Sequence, residues 1–134
     1  MKQKPLTVEE RNILVAYRIQ RAKETLAEAD NMIKDNFYNA AVNRLYYTCY
    51  YAVMLVKNDI SARTHQGALQ MFSLHFIVNN KISEQYSTFY GKLFNSRISG
   101  DYDDFVRYDN EMLTALRPQA EEFIVVIENE LNNL

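Results

Sequence analysis

Glycine and proline are scarce in this chain of 134 residues, at three and two, and cysteine occurs once. So little turn chemistry disfavours a sheet-rich fold and points to helices joined by a few short loops. Cys49 by itself builds neither a disulfide framework nor a thiolate metal cage, which fits a reducing compartment. Neither sign of charge is in excess: 15 basic against 17 acidic residues give a net charge of −2. That balance argues against a protein whose main work is non-specific binding to a phosphate backbone, and leaves room for a small local anion site. The start, Met1 to Thr7, lacks the apolar core of a signal peptide, so the cytoplasm is expected. The phosphate-loop, dinucleotide and serine-hydrolase glycine patterns are missing, as is H-E-x-x-H. His65 and His75 stand too far apart on one expected helix to share a metal, so no metal and no cofactor is expected.

What the chain has is aromatic residues, ten tyrosines and seven phenylalanines. They concentrate in Phe37 to Val56, FYNAAVNRLYYTCYYAVMLV, where Asn39, Asn43, Arg44 and Thr48 are the polar interruptions. At 100° per residue its apolar side chains cover every face, as in the centre of a bundle or a helix shared between subunits. Arg44 near its middle and aromatics at its centre speak against a membrane span. This is the expected spine of a single helical domain, residues 1–134.

Around it four more helices are expected. Thr7 and Glu10 form a capping-box pattern. Val8, Val15, Ile19, Ala22, Leu26, Ala29 and Ile33 then lay one apolar stripe on a first helix ending near Lys34. Asp35-Asn36 break it and are placed to cap the spine, which runs to about Lys57 as an antiparallel neighbour. Thr64 is placed to cap a third helix, His65 to about Asn79, buried through Leu69, Phe72 and Phe76. Ser83 and Glu84 open a fourth, whose seam Ile82, Tyr86, Tyr90, Leu93 continues into Arg97 and which stops at Gly100. Asp103 or Asp104 caps the last, carrying Phe105, Met112, Leu116, Ala120, Phe123, Ile127 and Leu131, with a kink at Pro118.

Arg44 and Arg97 are the leading candidates for chemistry, because a guanidinium on an apolar seam must find acceptors or face a cavity. Alone, each pairs with a carboxylate such as Asp101, Asp103 or Asp104; together, with tyrosine hydroxyls, they make a site for a phosphate or nucleotide. Arg97 to Asp104 joins a helix end, a glycine turn and clustered polar groups, or is simply one cap followed by another. His65, at a helix N-terminus that disfavours imidazolium, suits a neutral acceptor or base. Asn39, Asn43, Tyr46, Tyr50 and Met54 form a second stripe on the spine that suits either a homodimer contact or packing within one subunit.

The chain resembles the HEPN family (higher eukaryotes and prokaryotes nucleotide-binding domains), in particular its small stand-alone prokaryotic members. The resemblance rests on Ala40-Ala-Val-Asn-Arg44-Leu-Tyr-Tyr47-Thr-Cys-Tyr-Tyr51, on Thr64-His65-Gln66-Gly67, and on Arg97 followed by Gly100-Asp101-Tyr102-Asp103. It implies an all-α, up-and-down bundle that dimerises and is often paired with a small nucleotidyltransferase as toxin and antitoxin. It also implies, in many members, a metal-independent ribonuclease whose arginine and histidine, four to six residues apart near the end of a late helix, meet across the dimer axis. Arg97 matches that arginine, and Tyr102 stands in the histidine's place. A phenol of ordinary pKa near 10 is a poor base at pH 7. The expectation is therefore a protein that binds RNA or nucleotide at a centre of Arg97, Asp101 and Tyr102, with Arg44, Tyr47, Thr64 and His65 as ligand-binding residues. A ribonuclease using Arg97 with Tyr102, and a small-nucleotide sensor, remain as alternatives. In some paired systems the partner modifies a nearby tyrosine with nucleotide, which makes Tyr102 a candidate target.

Overall fold

A computed structural model describes residues 7–53, 65–78, 80–103 and 105–132, apart from the side chains of residues 75, 131 and 132. Thr64, Asp104, Met54 and the expected end of the spine near Lys57 lie outside them, as does the side chain of Leu131. The described chain is an all-α bundle: α1 (Val8–Lys34), α2 (Tyr38–Val53), α3 (His65–Phe72), α4 (Glu84–Tyr102) and α5 (Asn110–Asn132). No helix among the described residues is long and apolar enough to cross a membrane.

Helix α1 begins where the capping box places it. The Thr7 hydroxyl accepts from the Glu10 amide at 3.1 Å, and the Glu10 carboxylate accepts from the Thr7 amide at 3.1 Å. Those bonds hold the Glu10 carboxyl below its ordinary pKa. Ile19, Ala22, Leu26 and Ala29 of the expected stripe are buried, while Val8 is exposed on the first turn. Asn36 ends α1 and does not cap α2. It takes φ 65°, a left-handed backbone that asparagine tolerates. The amides of Asn36 and Phe37 then turn back to the carbonyls of Ile33 and Met32 at 3.0 and 2.8 Å, closing the helix end.

Helix α2 is central, packed against α1, α3, α4 and α5. Its core side chains are Ala41, Val42, Leu45, Tyr46, Cys49, Ala52 and Val53. The buried Thr48 hydroxyl donates to the Arg44 carbonyl at 3.0 Å, so no polar group is stranded by its burial. From Tyr46 an aromatic seam runs through Tyr90, Phe72 and Phe123, with ring centroids 5.9, 6.0 and 5.5 Å apart in that order. Such contacts add roughly 0.5–1.5 kcal/mol per pair beyond area burial and tie α2, α4, α3 and α5 together. The third helix widens after Phe72 into a π-helical turn, Ser73–Ile77.

Two expected boundaries move. Gly100 is not a stop: α4 continues to Tyr102, and no glycine has positive φ. Its missing side chain admits a close neighbour instead, because a Cβ there would meet Tyr108 Cε2 at 3.0 Å. Helix α5 starts at Asn110, capped by Asp109, whose Oδ1 accepts from the Met112 amide at 3.0 Å. Asp103 closes α4, and Phe105 is 98 % exposed in the connection between the helices. Pro118 lies inside an uninterrupted α5, and the Gln119 side chain donates to the Ala115 carbonyl at 2.9 Å beside it.

Candidate functional site

The helical period brings Tyr46, Tyr47 and Tyr50 to the side of α2 that meets α4 and the start of α3. Arg97, one turn beyond Leu93, lies on the α4 face turned toward them. Its Nη1 donates to the Tyr47 hydroxyl at 3.2 Å, and its guanidinium carbon lies 5.1 and 5.7 Å from the Tyr46 and Tyr47 ring centroids. Its Nε is buried and has no hydrogen-bond partner among the described residues. No carboxylate pairs with it among the described residues, so the cation is held chiefly by aromatic faces.

His65, the first residue of α3, packs on the same tyrosines, with centroids 4.6 Å from Tyr50, 5.5 Å from Tyr46 and 5.6 Å from Tyr47. Its Nδ1 is 2.7 Å from the Tyr46 hydroxyl. Burial, reinforced by the charge of Arg97, holds the imidazole below its ordinary pKa and therefore neutral at pH 7. Burial pushes the Tyr46 phenol up, so it keeps its proton and is the natural donor in that bond. His65 then accepts at Nδ1 and carries its own hydrogen on Nε2, an assignment that follows from the hydrogen-bond logic.

Arg44 reaches the same cluster from the other side, its guanidinium carbon 5.2 Å from the Tyr47 centroid. Both arginines thus flank one tyrosine. The acceptor of Arg44 is not an aspartate of the α4 terminus but Glu28 on α1, at 3.2 Å, and its Nη2 donates to Asn43 at 2.9 Å. Asn43 donates in turn to Asp101 at 3.1 Å. Asp101 therefore joins the centre through Asn43, four residues after Arg97 and on nearly the same helix face.

Tyr102 does not join it. Five residues correspond to about 140° around an α-helix, and Tyr102 is 75 % exposed on a different side of α4 from Arg97. Thr64 lies outside the described residues. Of the second stripe, Tyr46 is fully buried within the chain. Asn39 is bonded to Val106, Gly100 and Tyr108 of the same chain. These two side chains are thus engaged within the chain itself. Sequence reasoning had Tyr46 and Tyr50 on the right stripe, but not the fact that this stripe meets His65. Among the described residues, no three His, Cys, Asp or Glu side chains gather to hold a metal ion.

Comparison with known proteins agrees with the bundle. The HEPN domain model matches residues 15–130. A UPF0332 protein of Thermotoga maritima is 31 % identical over 127 residues, covering 93 % of this chain and 96 % of its own. Two proteins of Methanocaldococcus jannaschii are also similar. "Putative toxin MJ0142" is 30 % identical over 95 residues, 69 % of this chain and 65 % of its own. A second of the same description, MJ0605, is 29 % identical over 119 residues, 87 % of each chain.

Proposed function

The chain belongs to the HEPN domain family, and on that premise we propose that it is a toxin-like protein that holds a phosphate of RNA or nucleotide at Arg97. One observation carries the reading: among the described residues, this half-buried guanidinium has no partner for its Nε and meets no carboxylate. Desolvating a cation in this way is costly, and a phosphate at the edge of the guanidinium offsets that cost with the planar geometry it matches. His65 adds the neutral Nε2–H as a second donor, and Arg44 adds charge across Tyr47. The chain is then a homodimer and the non-transferase half of a two-component module with a small nucleotidyltransferase, as the family resemblance implies. The relatives described as toxins support the toxin-like part of the reading. The test is binding of a labelled short RNA and of free nucleotide by the purified protein and by Arg97→Ala. A salt-sensitive affinity that the variant loses is expected. Equal affinity in the variant would remove Arg97 from the site.

The position of His65 favours a second reading, RNA cleavage without metal. In that reaction the 2′-hydroxyl gives up its proton as its oxygen attacks the adjacent phosphorus, and the 5′-oxygen leaves with a proton. His65 serves as base at Nε2 only in the other tautomer, with Nδ1–H donating to the Tyr46 oxygen. With Tyr46 as donor that lone pair is absent, so binding without cleavage is the expected outcome in chelator-treated samples. Cleavage that disappears in both Arg97→Ala and His65→Gln, but survives Tyr102→Phe, would establish the second reading.

A further inference from the structure

Behind Tyr50, on the side where α1 crosses α2, lies an open groove of about 390 Å³ lined by Tyr17, Arg18, Arg21, Tyr50 and Tyr51. Its volume is in the range of small-molecule sites, and among the described residues its wall is tyrosine and arginine. Arg21 is fixed in it: Nη2 donates to the Tyr51 hydroxyl at 3.3 Å, and the guanidinium carbon is 4.9 Å from that ring's centroid. Its only carboxylate contact among the described residues is Glu24 at 3.8 Å, a loose pairing between two partly exposed groups. Tyr17 is 62 % exposed, an aromatic face presented to solvent at the rim. The groove shares Tyr50 with the aromatic cluster on which Arg97 packs. Tyr50 lines it while packing on His65 at 4.6 Å and on Tyr51 at 5.9 Å between centroids.

We propose that this groove is a second binding site, for the base and phosphate of one nucleotide unit, with Tyr17 and Tyr51 as stacking faces and Arg21 as the phosphate contact. Two features select that chemistry. Aromatic faces next to a fixed guanidinium suit a flat π-system carrying an anion, the combination by which single strands are held without sequence readout. In a chain of net charge −2, Arg21, only loosely paired with Glu24 at 3.8 Å, also gives the cleft a local positive charge that attracts a phosphate. The shared residue Tyr50 makes the groove and the Arg97 centre neighbouring subsites, so a strand lying across both places one nucleotide in each. This inference rests on the phosphate-binding reading of Arg97 for the adjacency, but not for the groove's own ligand class.

Fluorescence anisotropy of the intact protein with a labelled single-stranded RNA of roughly ten nucleotides tests it, with adenosine monophosphate and inorganic phosphate as competitors. Tyr17→Ala and Arg21→Gln should each weaken RNA binding about five- to tenfold, Tyr17→Phe should restore it, and Arg21→Gln should flatten the salt dependence by about one phosphate contact. Adenosine monophosphate should compete where inorganic phosphate does not. RNA binding much tighter than the monophosphate identifies a strand as ligand, and equal affinities identify a free nucleotide. Both groove side chains reach solvent, and helical circular dichroism confirms that the variants are folded. Wild-type affinity in both Tyr17→Ala and Arg21→Gln, or inorganic phosphate competing as well as the nucleotide, overturns the proposal. Loss in Arg97→Gln with no loss in the groove variants leaves the centre and removes the groove. The reverse pattern leaves the groove and removes the centre.

Discussion

Replacing Asn39 with alanine should destabilise the protein by about 2 kcal/mol, because this one amide fastens the α4–α5 connection to α2. Nδ2 donates to the Val106 carbonyl at 2.9 Å and, weakly, to the Gly100 carbonyl at 3.4 Å, while Oδ1 accepts from the Tyr108 amide at 2.8 Å. Each good bond contributes about 1 kcal/mol net, and truncation leaves one backbone donor and one acceptor part-buried without a partner. Asn39 is itself only partly buried, so water recovers some of the loss and the upper end of the range is not reached. For a chain of this size the thermal midpoint should fall by roughly 6–10 °C. Asn39→Asp separates the two halves of the network. It keeps an acceptor for Tyr108 but points a carboxylate oxygen at the Val106 carbonyl, which raises the carboxyl pKa above its unfolded value near 3.9. Measured against the wild type at the same pH, the variant's deficit is therefore smallest below about pH 4 and grows as pH rises through the raised pKa. Urea unfolding of both variants across pH is the assay. A loss below about 0.5 kcal/mol for Asn39→Ala, or wild-type stability of Asn39→Asp at pH 7, would refute this account and return Asn39 to a surface role.

Gly100→Ala should also destabilise, by about 1 kcal/mol. Helix propensity favours alanine, but the new Cβ would meet Tyr108 Cε2 at 3.0 Å. That ring cannot swing freely, because its hydroxyl donates to the Ser96 carbonyl at 2.8 Å; a raised midpoint in a thermal melt would show that the ring yields. Arg44→Ala should cost only about 1 kcal/mol, since Glu28 is 43 % exposed and water screens the pair. A loss above about 3 kcal/mol in urea unfolding would instead make Arg44 part of a buried charge network. Because the folded state lowers the pKa of His65, unfolded chains take up its proton first. The stabilisation is full above the unfolded pKa near 6.5 and is lost as pH falls through that value toward the folded one. Thermal midpoints measured from pH 7.5 to 5 should therefore decline more steeply for the wild type than for His65→Gln, and parallel curves would contradict the placement of His65.

The sequence by itself determined the helical class, the five helices and most of the core. These follow from local rules: scarce turn residues, a capping box at Thr7 and Glu10, and apolar spacing that registers which side of a helix avoids water. It also marked Arg44, Arg97 and His65, because charged or titratable groups on apolar seams stand out against their surroundings. Where each helix ended was less legible. Gly100 and Asp103 carry the residue types of a stop and a cap, and Asp109 carries the same type, so only packing against Tyr108 decides which are used. Which of these residues come together was decided by tertiary structure. Nothing local distinguishes a tyrosine that faces a partner subunit from Tyr46, which faces His65 nineteen positions later. Nor could spacing reveal that Glu28 on α1 takes the pairing expected from the α4 aspartates, because an ion pair depends on which helices become neighbours. Tyr102 was misplaced for the opposite reason. Its position in a linear motif suggested that it joins Arg97, whereas a rotation of about 140° sets it on another side of the helix within the chain. The α1–α2 groove shows the same limit, since Tyr17 and Arg21 are unremarkable on α1 until Tyr50 and Tyr51 are packed beside them.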